Sequence, residues 1–153
     1  MKNLLSIIFV LMVLPAFALF GQPAYDYAGD SQTVRFFPLN VYIDSSTNYL
    51  AAYQFELKAV KGQVKIVGVE GGEHAAFKQP PYYDPAALAN DRIIIAAFNN
   101  GDDLPKGKTR VATIHLQAIG DVEPAFEISL TLAAQKGGRQ IHAEISFEKG
   151  EQK

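Results

Sequence analysis

The chain has 153 residues, 48% hydrophobic and 20% charged, with a formal net charge of −2 and no cysteine. That length suits one domain plus a targeting segment, and the apolar content supplies a core, which excludes a disordered tail. A mildly acidic chain with scattered lysines lacks the basic footprint of a nucleic-acid binder or a membrane-surface patch. Without cysteine there are no disulfides, thiolate metal sites, cysteine nucleophiles or cysteine-linked lipids. Stability must come from core packing, for which roughly 130 residues suffice.

Lys2 is followed by an almost unbroken apolar run over residues 4–20. A short positive region followed by an apolar stretch is the pattern of an export signal, and Ala16-Phe17-Ala18 or Gly21 offers a small-residue cleavage site. Residues 1–21 are therefore expected to be a signal peptide. The alternative is an uncleaved anchor, since a run of this length lies at the short edge of what spans a bilayer. Either way the rest of the chain is expected outside the cytoplasm: secreted, at the cell surface or in a periplasm. Only retention of the segment would attach it to a membrane. Residues 22–32 read as a linker and residues 33–150 as one domain.

The domain reads as short strands separated by turns. Over residues 34–44, Leu39, Val41 and Ile43 alternate with Asn40, Tyr42 and Asp44, which predicts a half-buried strand. Pro38 cannot donate to a ladder, so the strand is expected to be an edge there or to carry a bulge. Ser45-Ser46-Thr47-Asn48 is a turn. Ala51, Tyr53, Phe55 and Leu57 then face one way, with Gln54, Glu56 and Lys58 the other. Residues 64–69 form a further strand, closed by Gly71-Gly72. Residues 70–91 are irregular, with Pro80-Pro81 and Asp84-Pro85 inside them and one helical turn expected over residues 86–90.

Residues 93–98, Ile-Ile-Ile-Ala-Ala-Phe, are continuously apolar, which predicts a strand buried on both faces. After the turn at residues 99–103, Ala112, Ile114, Leu116 and Ala118 oppose Thr113, His115 and Gln117. Phe126, Ile128, Leu130 and Leu132 make another inward row, and so do Ile141, Ala143, Ile145 and Phe147. Gly137-Gly138 between the last two rows is a hairpin signal. About seven strands with no long helix predict an all-β fold, an antiparallel β-sandwich or jelly roll.

Signals for chemistry are sparse. There is no G-x-S-x-G elbow, and His74, His115 and His142 fall in a loop or at polar strand positions, so no catalytic residue is assigned and the chain is not expected to be an enzyme. Asp84, Asp91, Asp102 and Asp103 are loop carboxylates of the type that holds Ca²⁺. Their spacing matches no EF-hand loop, and turn chemistry accounts for them, so neither a metal site nor a cofactor is expected. Tyr82 and Tyr83 lie in the long loop with Phe77. Exposed tyrosines make good binding anchors; alternatively this pair caps one end of the sandwich.

The segments T-V-R-F-F-P-L-N-V-Y-I-D, L-A-A-Y-Q-F-E-L, V-K-I-V-G-V-E-G-G, D-R-I-I-I-A-A-F and T-R-V-A-T-I-H-L-Q-A resemble, in order and pattern, the core strands of cohesin modules, whose superfamily includes family 2 and 3 carbohydrate-binding modules. The resemblance covers most of residues 33–150. It implies a secreted, non-catalytic module that docks the dockerin of another protein through one sheet face. Carried over to this chain, that face includes Gln54, Glu56, Thr113 and His115, with Tyr82 and Tyr83 as further candidates. Type I members place a polar Asn and Asp where Ala52 and Gln54 stand here. Two other readings follow from the same scaffold. One is a polysaccharide-binding module, with tyrosines substituting for the missing tryptophan. The other is a structural subunit of a surface assembly.

Overall fold

A computed structural model of the chain describes residues 32–150. The expected export segment and all but the last residue of the expected linker lie outside the described residues. Ser31–Lys153 is one compact unit. Its strands are β1 (Val34–Asp44), β2 (Ala52–Lys61), β3 (Gln63–Gly71), β4 (Tyr82–Tyr83), β5 (Arg92–Phe98), β6 (Lys108–Ile119), β7 (Ala125–Ala134) and β8 (Glu144–Lys149). They form two four-stranded sheets, ordered β3-β6-β1-β8 and β4-β5-β2-β7. Every pairing is antiparallel.

The alternation that predicts strands also places them face to face. Leu39, Val41 and Ile43 of β1 and Ala112, Ile114, Leu116 and Ala118 of β6 are buried. They share one core with Tyr53, Phe55 and Leu57 of β2 and Ile93 and Ile95 of β5. Each large aliphatic or aromatic side chain removed from water in this way contributes about 1.5–3 kcal/mol. The arrangement is that of a β-sandwich, with inner faces apolar and outer faces mixed.

Tyr53 is 1% exposed and sits between the sheets. Its hydroxyl donates to the carbonyl oxygen of Val111, 2.9 Å away on the opposite sheet. Its ring stacks on Phe55 and meets Phe77 edge-on, with centroids 6.0 and 5.1 Å apart. Val111 is the extra residue of a bulge: Val41 pairs with Ala112 and Tyr42 with Arg110, which leaves Val111 without a partner. The phenol of β2 thus meets a carbonyl that β1 pairing passes over. Burial pushes the Tyr53 hydroxyl well above its ordinary pKa, so it stays a neutral donor.

Several local expectations are revised. β5 is not buried on both faces: Ile93 and Ile95 are inside, but Ile94 and Phe98 are exposed. Leu132 is 40% exposed, outside the inward row. A register shift pairs Phe55 with Leu130 but Gln54 with Leu132, so the bulge at Thr131 turns Leu132 outward. Gly137-Gly138 does turn a short hairpin, in which Ala134 bridges Gln140, but β7 and β8 themselves lie in different sheets. Both glycines have positive φ in a tight turn closed by Gly138 N–H to Gln135 O. The chain then leaves β7 for the other sheet, and regular pairing of β8 begins only at Glu144. Pro38 lies where β1 emerges beyond the reach of β8, which pairs only with Leu39 through Asp44. Residues 70–91, expected to be irregular, include the end of β3 and the short strand β4, with two single 3₁₀ turns, Ala75–Phe77 and Pro85–Ala87, capped by the side chains of His74 and Asp84.

Replacing Tyr53 with Phe keeps the ring and strands the Val111 carbonyl. Tyr53→Phe is expected to lower unfolding free energy by about 1–3 kcal/mol in urea titration. An unchanged midpoint would show that the hydroxyl bond does not tie the sheets.

Candidate functional site

The outer face of β4-β5-β2-β7 is built by the residues that alternate with the core. Across one row, Tyr82 lies opposite Ala96, Ala96 opposite Gln54, and Gln54 opposite Leu132. Toward one end of the strands, Phe98 pairs with Ala52. Toward the other end, Ile94 pairs with Glu56 and Arg92 with Lys58, which faces Glu127 on β7. The face therefore divides into an apolar half around Tyr82, Phe98, Ala52 and Leu132, and a charged half around Arg92, Glu56, Lys58 and Glu127.

Tyr82 and Phe98 are 68% and 61% exposed, and their rings stack nearly parallel with centroids 6.0 Å apart. Such exposed rings contribute little to the core yet offer large, rigid contact area. Ile94 and Leu132 extend the apolar surface. An open cleft of about 550 Å³, lined by Tyr82, Asp84, Ala86, Arg92, Ile94 and Ala96 among others, runs along the β4–β5 margin.

The polar neighbours are fixed by one another. Gln54 Nε2 donates to Thr131 Oγ1 at 3.2 Å, and that hydroxyl donates to the Gln54 carbonyl at 3.0 Å. Arg92 Nη2 donates to Glu56 Oε2 at 2.6 Å. This hydrogen bond and the guanidinium charge hold the Glu56 carboxyl below its usual range.

The six residues singled out from sequence are not brought together. Gln54, Glu56 and Tyr82 share the face just described. Tyr83 alternates with Tyr82 and packs, half-buried, against the core. Thr113 and His115 belong to β6 in the other sheet, so a single face holding Gln54, Glu56, Thr113 and His115 does not exist. Thr113 is buried at 4% exposure, its hydroxyl donating to Asn40 Oδ1 at 3.0 Å and accepting from Arg110 Nη1 at 2.9 Å. It holds β6 to β1 and is not available for contact. His115 Nε2 lies 3.1 Å from Glu70 Oε1, within ion-pair range but outside hydrogen-bond geometry.

The loop carboxylates are dispersed. Asp102 pairs with Lys136 at 2.5 Å, Asp84 caps a 3₁₀ turn, and Asp103 lies 3.6 Å from His74 Nε2. Among the described residues, no group of three or more His, Asp or Glu is placed to hold a metal ion. Among them, too, no helix is long and apolar enough to cross a membrane.

Sequence reasoning missed Phe98, Ile94 and Leu132 as surface residues. A continuous apolar run reads the same whether its second face meets core or solvent. Comparison with family models, curated proteins and solved structures found no match to this chain.

A depressed carboxylate stabilises above its unfolded pKa, and this contribution fades as pH falls through the folded value. Arg92→Gln removes the cause, so the Glu56 carboxyl should titrate at higher pH in the variant, toward the ordinary value, by NMR. Titration at the parent's pH would place the cause elsewhere.

Proposed function

We propose that this chain is an exported, non-catalytic, cohesin-like module that docks a partner protein through the outer face of β4-β5-β2-β7. The observation that carries the reading is the cluster of Tyr82, Phe98, Ile94 and Leu132 on one sheet face, between 40% and 68% exposed. Large exposed side chains gathered on one surface mark an interaction site where isolated ones do not. A flat sheet face with an apolar half and a charged half favours a protein surface over a small molecule, which needs a concave pocket. Ala52 and Gln54, standing where type I cohesins carry Asn and Asp, make the centre of the face less polar. The partner is therefore one that meets this less polar centre, and not a dockerin matched to the Asn and Asp of type I members. Export is supported by the charged-then-apolar pattern of residues 1–21.

The stacked pair Tyr82–Phe98 beside the cleft favours one second reading, polysaccharide binding by ring stacking on the same scaffold.

The test uses immobilised Ser31–Lys153, a panel of calcium-loaded dockerin modules and a panel of soluble polysaccharides. At least one dockerin is expected to bind. Tyr82→Ala/Phe98→Ala is expected to weaken that binding at least tenfold, as losing hot-spot rings does. Both rings are exposed, so the thermal midpoint should barely move. Retention by a polysaccharide with no dockerin bound would replace this reading with the second. Dockerin binding indifferent to the double variant would move the site off this face.

A further inference from the structure

The sandwich has four edge strands, β3, β8, β4 and β7. Three carry features that discourage further strand pairing. β3 bears Lys65 and a bulge between Ile66 and Gly68. β8 is short, with Glu144, Glu148 and Lys149 among its six residues. β4 has two residues, between Pro81 and Pro85. By contrast, β7 runs for ten residues with no lysine, arginine or proline and a single charge, Glu127, and its bulge at Thr131 leaves residues 126–130 regular.

The far end of β7 is already occupied. Ile141 N–H donates to the Ala133 carbonyl, and Ala134 bridges Gln140. Among the described residues, nothing pairs with the outer edge of residues 125–132. Phe126, Ile128 and Leu130 point inward yet remain half-buried, as do Ile145 and Phe147 on β8. Phe126 meets Phe37 and Phe147 edge-on across this open side.

We propose that β7 pairs with β7 of a second copy, antiparallel about a two-fold axis, joining two four-stranded sheets into one of eight strands. Residues directly opposite in such a pair share a face, so the axis must pass through a residue. An axis at Glu127 sets like charges against each other. An axis at Ser129 sets inward Phe126 against outward Leu132. An axis at Ile128 meets neither objection. It places Phe126 opposite Leu130 of the second copy and Ile128 opposite its own equivalent, continuing the half-buried row. On the outer side it sets each Glu127 carboxylate beside the Ser129 hydroxyl of the other copy. The strand is thus complementary to itself in charge and face in this register. The pairing does not depend on the docking function, and it would present two docking faces side by side.

Sedimentation velocity on Ser31–Lys153, the unit that contains the core of the described residues, is expected to show a reversible dimer at about 100 µM, as suits a small interface. Ser129→Glu sets carboxylates opposite Glu127 twice per dimer and should weaken it roughly tenfold. Ser129→Lys sets opposite charges there and should tighten it by a similar factor. A monomeric parent, or variants that both shift in one direction or not at all, would overturn the proposal. Circular dichroism melting of each variant separates loss of pairing from loss of fold.

Discussion

Tyr53 carries a polar hydroxyl into an apolar interior, where an unpartnered one costs about 1–3 kcal/mol. The β6 bulge presents the Val111 carbonyl to it from the other sheet. That bond, with the ring packed against Phe55 and Phe77, fixes which side of β2 faces inward. A slip of one residue would carry Tyr53, Phe55 and Leu57 to the surface together. With β2 locked, its alternate residues Ala52, Gln54 and Glu56 must form the centre of the outer face, and its neighbours β5 and β7 contribute theirs in register.

The outer face follows from that constraint. β5 pairs with β2 so that Ile93 and Ile95 join the core, which leaves Ile94 and Phe98 outward. β4 then lays Tyr82 against Ala96, bringing its ring onto Phe98. The bulge in β7 adds Leu132. The two sheets differ accordingly on their outer sides. On β3-β6-β1-β8, Arg110, Thr113 and Asn40 bind one another and His115 lies against Glu70, so polar groups are used up in holding strands together. Both sheets also keep large apolar groups exposed, Val34, Phe36 and Val67 on β3-β6-β1-β8 and Tyr82, Phe98, Ile94 and Leu132 on β4-β5-β2-β7, where the rings of Tyr82 and Phe98 stack on each other.

Much of the fold was legible because alternation in β1, β2 and β6 matches the pleat. Leu39, Val41, Tyr53, Phe55, Ile114 and Leu116 are all buried where their spacing puts them. The division of strands between sheets was not legible, since Thr113 and Gln54 occupy equivalent outward positions in sequence and opposite sides in space. Bulges were equally hidden: one inserted residue reverses the facing of Leu132 without changing the composition around it. The candidate site was half legible. Tyr82, Gln54 and Glu56 were recognisable as exposed strand or loop residues, whereas Phe98 and Ile94 were masked inside a run that also serves the core.

The most direct measurement of the docking face is amide chemical-shift mapping of Ser31–Lys153 during titration with the calcium-loaded dockerin panel. Shifts concentrated at Tyr82, Ile94, Ala96, Phe98, Gln54 and Leu132 are the expected result. Shifts concentrated instead around Lys65, Gln117 and His115, on the opposite sheet, would contradict it.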